Sequence, residues 1–126
     1  MFKIIVIIST LFFFANARAE VALSCESSGS WKMLPVGDDK LLDAEINLNF
    51  GGNMSIAGDS GIWSHFKLKT KTVDTFVFES AKPDSTWQTQ DLIATVDKSL
   101  VLGTGKGSIV FKHKTDASKS KTYKCE

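Results

Sequence analysis

The sequence predicts an all-β domain: one antiparallel meander that closes on itself as a small barrel of eight or nine strands, with a two-sheet β-sandwich as the alternative. Three observations predict it. Between Leu42 and Phe50, apolar Leu42, Ala44, Ile46, Leu48 and Phe50 alternate with Asp43, Glu45, Asn47 and Asn49, the period of two that gives a strand one buried and one wet face. Turn residues recur about every ten positions, the spacing of short strands in barrels and sandwiches. No stretch carries a convincing amphipathic-helix period.

The first 19 residues stand apart from this pattern. Met1-Phe2-Lys3 is a short cationic start, Ile4 to Phe14 is apolar apart from Ser9 and Thr10, and Ala17-Arg18-Ala19 fits a small-x-small cleavage site. These are the parts of a secretory signal peptide, and the apolar run is far short of the roughly 20 residues a membrane-spanning helix needs. Residues 1–19 are therefore expected to leave on export to the periplasm or the exterior. Removing 19 of the 126 residues leaves 107, enough for one domain with one core (20–126) and too few for two.

Within the domain, Gly29 to Leu34 reads as a first strand with Trp31 and Met33 on one face, and Glu20 to Ser28 before it as irregular or a helical turn. Pro35 and Gly37 to Lys40 end that strand. The alternating strand Leu41 to Phe50 follows, Gly51-Gly52-Asn53 turns it, Met54 to Ala57 returns, and Gly58 to Gly61 turns again. From Ile62, the next strand places Phe66 and Leu68 opposite Trp63, His65, Lys67 and Lys69. Val73 to Glu79 sets Phe76 and Phe78 against Thr75 and Val77, and Lys82 to Ser85 is a turn set by the fixed φ of Pro83. Thr86 to Val96 changes parity partway, which a bulge near Gln90-Asp91 reconciles. Leu100 to Leu102 reads as a short strand, Gly103 to Gly107 as a flexible link, and Ile109, Phe111 and His113 share a face of the next strand. Thr115 to Lys121 reads as a loop before Tyr123 and Cys125 close the chain.

Composition narrows the function. With Lys3 and Arg18 gone, 13 Lys face 14 Asp and Glu and no arginine is left. Bidentate readout of phosphates and base edges relies on the guanidinium fork, so nucleic-acid binding is disfavoured. The lysines from Lys112 to Lys124 read as protection of a solvated edge strand. Cys25 lies near the start of the exported chain and Cys125 is its penultimate residue, so in an oxidising compartment the two are expected to pair. The rival, acylation of Cys25 after Ala22-Leu23-Ser24, is disfavoured by Arg18 and Glu20 standing between it and the apolar run.

Gly29-Ser30-Trp31, placed just ahead of a strand, resembles the G-x-W element of lipocalins and smaller lipocalin-like domains, in which the Trp packs across the closed end of the barrel. The run Leu48 to Asn53 through Gly61-Ile62-Trp63 is similar to the strand, turn, strand, Gly-x-Trp pattern of small bacterial lipocalin-like domains. Together these cover about a third of the exported chain. The resemblance implies a calycin-type barrel whose open end holds a small apolar ligand. Two departures are plain: lipocalins carry an Arg near the last strand that packs on the Trp, and this chain has none after Arg18; and it is shorter than a full lipocalin.

No residue set declares a reaction. His65 and His113 lack H-x-H or C-x-x-C company, so no metal is expected. Ser64 and His65 point to opposite faces of their strand and cannot form a catalytic pair with Asp59. Gly103 to Ser108 lacks phosphate-loop spacing and a following helix. The expectation is therefore an exported, non-enzymatic binding protein without cofactor. It would hold a small hydrophobic ligand near Trp63, Trp87, Phe66 and Phe78, the two tryptophans at the mouth because each departs from its strand's main apolar parity. The alternative is a secreted or periplasmic protein-binding module such as an enzyme inhibitor, acting through Gly103 to Gly107 and Thr115 to Lys121.

Overall fold

The computed structural model describes residues 20–28, 31–34, 40–49, 51–58, 63–81 and 89–126. Residues 1–19, expected to be a signal peptide, the Gly29-Ser30 part of the G-x-W element, residues 35–39, Phe50, Asp59 to Ile62 and residues 82–88 with the expected turn and Trp87 lie outside them. The strands are β1 (Glu20–Ser28), β2 (Lys40–Asn47), β3 (Asn53–Ala57), β4 (Trp63–Lys71), β5 (Thr75–Ser80), β6 (Leu92–Asp97), β7 (Gly107–His113) and β8 (Ser120–Cys125), with one five-residue helix, α1 (Lys98–Leu102), between β6 and β7. Each strand pairs antiparallel with the next, and β1 pairs with β8, so the sheet is a closed eight-stranded barrel. The all-β meander read from alternation is the fold; the sandwich alternative is not.

Closure explains the first correction. The partner of β8 is Glu20–Ser28, with Cys25 opposite Cys125 and Ser28 opposite Thr122. The segment after it is not a strand: Trp31 to Leu34 runs irregularly, with Met33 and Leu34 buried and Trp31 packed on the core. Closure also removes the edge that the lysine-rich tail was expected to protect, because β8 is paired on both sides. Within it Lys121, expected in a loop, is a strand residue only 1% exposed. Its ammonium donates to the Trp31 carbonyl at 2.9 Å and lies 5.8 Å from the Tyr123 ring centroid. A buried charge is tolerated where such partners replace water, and here it ties the irregular segment to β8.

Cys25 and Cys125 form a disulfide across directly opposed residues, with Cα atoms 4.0 Å apart. No free cysteine occurs among the described residues. The bridge spans 100 residues of sequence at the seam where first and last strands meet, which is where chain closure costs most entropy.

Large side chains are buried in the interior, as eight strands allow. Phe66, Phe78, Phe111 and Tyr123 are fully buried; the Phe66 and Phe111 centroids lie 5.5 Å apart, and Phe111 meets Tyr123 edge-on at 5.7 Å. Ala94 stands in register between Phe78 and Phe111, a small residue making room for two rings.

Strand β2 departs from simple alternation. Leu23 opposes Ala44 but Cys25 opposes Leu41, so β2 holds one extra residue there, a β-bulge. Ala44 and Ile46 face inward as expected, whereas Leu41 takes the next inward position and Leu42, expected on the same face, is 57% exposed. A second bulge lies in β4, where Leu68 opposes Phe78 and Thr70 opposes Val77, leaving Lys69 as the extra residue. The two faces of β4 separate as the alternation implies, and the structure settles which is inward: Phe66 is buried, and Trp63, His65, Lys67 and Lys69 face outward. The parity change before β6 is not a strand bulge: β6 begins at Leu92, after a turn in which Asp91 has φ 61°. Ser80 pins that turn, its hydroxyl donating to the carbonyls of Thr89 and Leu92 and accepting from the Leu92 amide at 2.9 Å.

Leu100 to Leu102 is helical, not a strand. Leu100 and Val101 are buried at the end of the barrel, so α1 acts as a plug. The glycine link after it is fastened: the Ser99 carbonyl accepts from the amides of Gly103 and Gly105 at 3.2 and 2.9 Å, and the Ser99 hydroxyl donates to the Lys106 carbonyl at 2.7 Å. At the β2–β3 turn, a Cβ on Gly52 would stand 2.8 Å from Leu68 Cβ, and its φ of 82° favours glycine.

Two stability changes are expected. Replacing both Cys25 and Cys125 with Ser lowers the unfolding free energy by about 2–5 kcal/mol, read as a fall in the urea midpoint. Lys121→Ala, which leaves the Trp31 carbonyl short of a donor, costs about 1–3 kcal/mol in the same assay, and Lys121→Met recovers part of the loss by filling the space with apolar atoms.

Candidate functional site

A recess sits on the wall where β8, β1 and β2 meet, beside the β2 bulge. Glu26 on β1 stands opposite Lys40 of β2 on one side and Lys124 of β8 on the other, giving an outward row of alternating charge. Lys40 Nζ lies 3.6 Å from Glu26 Oε1, and both are largely exposed, so this ion pair adds little to stability. Leu42 projects beside the row. Cys25 and Leu41 form the floor, Ser24 and Ser27 the β1 rim, and Glu126, whose amide donates to the Ser24 carbonyl at 3.3 Å, the far side. The cleft holds about 700 Å³, within the range of roughly 300–1,000 Å³ that ligand sites occupy. It offers cations, anions and an apolar lip, and no nucleophile paired with a base.

The residues expected to form a ligand mouth are distributed otherwise. Phe66 and Phe78 are fully buried in the packed interior, on adjacent strands. Trp63, the first residue of β4, is half-buried on the opposite, outward face, across from Ala57. Trp87 lies outside the described residues. The interior therefore gathers two of the four, and the cleft none of them. Sequence reasoning missed the cleft because its only signal was the doublet Leu41-Leu42, where either leucine could keep the alternation.

The histidines are placed on separate strands and are occupied locally. His65 Nδ1 lies 2.9 Å from Ser55 Oγ, directly across β3 and β4. His113 Nδ1 accepts from the amides of Thr115 and Asp116 at 3.2 and 3.1 Å, capping the β7–β8 turn. Ser64 faces inward and accepts from Thr89 Oγ1 at 3.0 Å, so it shares no face with His65. Among the described residues no group of three or more His, Cys, Asp or Glu could hold a metal ion, and no helix is long and apolar enough to cross a membrane. Comparison of the chain with protein-family models, with curated proteins and with solved structures returned no match.

In the β7–β8 turn, the Ser118 hydroxyl donates to Asp116 Oδ1 at 2.6 Å and the Ser118 amide at 3.1 Å. These bonds hold the Asp116 carboxyl below the usual aspartate value of 3.8. With the folded pKa depressed, the turn's contribution is complete above the unfolded value and is lost as pH falls through the folded one. An NMR titration of the Asp116 carboxyl carbon should give a midpoint below 3.8, and Ser118→Ala should raise it toward that value.

Proposed function

We propose that this protein is an exported, lipocalin-like, non-enzymatic binding module that engages another protein through its outer wall, as an inhibitor or adaptor does. The observation that carries this reading is the recess on the outer wall: Phe66, Phe78, Phe111 and Tyr123 are buried in the interior, whereas the β8–β1–β2 cleft is lined by exposed Glu26, Lys40, Leu42 and Lys124. A side chain or short segment of a partner would seat there, its charges meeting Lys40, Glu26 and Lys124 and its apolar part covering Leu42. A disulfide-tied barrel supplies the rigidity that keeps ordering costs low on binding.

A second reading, a small hydrophobic ligand, draws on the same cleft because its volume suits a small molecule. The two separate by experiment. Immobilised wild-type protein should retain a defined partner from the fluid into which it is exported. Leu42→Glu should weaken that capture by tenfold or more, about 1.4 kcal/mol, without moving the urea midpoint. Equal capture by wild type and Leu42→Glu overturns the cleft assignment, and a saturable fluorescence response to an apolar probe with no protein captured replaces the partner by a small ligand.

A further inference from the structure

His113 ends β7 at the rim of the barrel, and its imidazole turns back onto the chain that follows. Its Nδ1 accepts the amides of Thr115 and Asp116 at 3.2 and 3.1 Å, with Thr115 Oγ1 at 3.3 Å. An amide N–H can only donate. Nδ1 therefore keeps its lone pair, and the hydrogen of the neutral ring is on Nε2.

The rest of the turn is held without the ring. At its base the His113 amide donates to the Lys119 carbonyl and the Lys114 amide to the Asp91 carbonyl, both at 2.9 Å. At its tip the Lys119 amide donates to the Asp116 carbonyl at 3.1 Å, and Asp116 Oδ1 accepts from the Ser118 hydroxyl and amide at 2.6 and 3.1 Å. The imidazole bridges these two fastened pieces through the amides between them.

Histidine changes charge in the range of about pH 5 to 8. A second proton, taken from solvent, goes to Nδ1, and the new N–H then faces two amide N–H groups. The Thr115 hydroxyl can turn from donor to acceptor; the amides cannot. Donors left facing donors disfavour the closed turn. Thr115 and Ser118 are exposed, so water takes up the released amides and the barrel keeps its fold.

The charges around the ring come from several elements. Asp116 is ionised over the whole histidine range, because the Ser118 hydroxyl and amide hold its carboxyl below 3.8, with Lys119 and the His113 charge acting in the same direction. Lys114 is engaged with Glu79 of β5 at 3.3 Å. Opposite His113 on β6 stands uncharged Leu92, preceded by Asp91. Lys112 adjoins the histidine on β7 with its side chain exposed, and Lys121 of β8 is held at the Trp31 carbonyl.

We propose that His113 is a pH-sensitive latch: a neutral imidazole closes the β7–β8 turn on Nδ1, and protonation releases the Thr115 and Asp116 amides and reshapes this rim of the barrel. In a protein expected to be exported, whose surroundings are not held at cytoplasmic pH, the latch ties the shape of residues 114–119 to acidity. None of these residues lines the cleft, so the device stands apart from any partner bound there.

The test follows two NMR signals in the disulfide-bonded exported protein between about pH 8 and 5. One is the His113 ring Cε1–H shift; the other is the exchange protection of the Thr115 and Asp116 amides, corrected for the intrinsic pH dependence of exchange. Both amides should lose protection about tenfold with the midpoint of the ring, while Ile56 and Ala94 in the barrel wall keep theirs. His113→Asn and His113→Ala should both abolish the step. The asparagine oxygen accepts from an amide two residues on and does not titrate, so Thr115 should stay protected in that variant, whereas His113→Ala should leave both amides unprotected at every pH. Equal protection with the ring neutral and charged overturns the proposal, as does a step that persists in His113→Asn or departs from the ring's midpoint. Loss of protection throughout the barrel in the same step also overturns it, because the titration then belongs to global unfolding and not to the turn.

Discussion

The structure depends on joining its first strand to its last. Every other strand pair in the barrel is made between neighbours in sequence and needs little loop closure. The β1–β8 seam instead brings together residues 100 apart, and its ladder is short, from Cys25 and Cys125 to Ser28 and Thr122. A covalent bond at the first registered pair of that ladder shifts the entropy of closure onto the unfolded chain. Without the seam, β1 and β8 would both present unpaired backbone, the condition that invites pairing with other chains.

Once closed, the barrel has to be filled and its ends covered, and the same few residues do both. Ala94 between Phe78 and Phe111 shows the lateral constraint: three large side chains in a row would not fit a cylinder of eight strands. At one end α1 inserts Leu100 and Val101; at the other, Met33 and Leu34 enter and Lys121 holds the Trp31 carbonyl. Lys121, in the last strand, is bonded to the backbone of Trp31 and lies over Tyr123.

Much of this was legible in the sequence, and the parts that were not share a cause. The runs from Met54 to Ala57, from Phe76 to Phe78, from Leu92 to Val96 and from Ile109 to Phe111 declare their inward faces because one parity is apolar, whereas around Phe66 the tryptophan on the lysine face and the buried Ser64 blur the choice. Alternation fails where a residue's fate is decided by a distant partner. Glu20 to Ser28 has little alternation of its own and becomes a strand because β8 and β2 need it between them. Lys121 looks like loop solvent because its partner is a carbonyl 90 positions away. Leu41 and Leu42 are interchangeable by chemistry, and only the register with Leu23 and Cys25 decides which faces in. The cleft inherits that ambiguity, since it exists only where Leu42 is turned out.

Two departures from regular alternation have a common form. An extra residue in β2 turns Leu42 away from the core and opens the cleft; an extra residue in β4 sets Lys69 out of ladder beside the turn that carries Val73. In a closed barrel with strictly alternating strands, parity alone would decide which side chains face outward. Bulges are the means by which such a sheet re-aims individual side chains without breaking closure. Leu42, 57% exposed, owes its place at the recess to the extra residue of β2, and that departure from regularity is where binding can be sought.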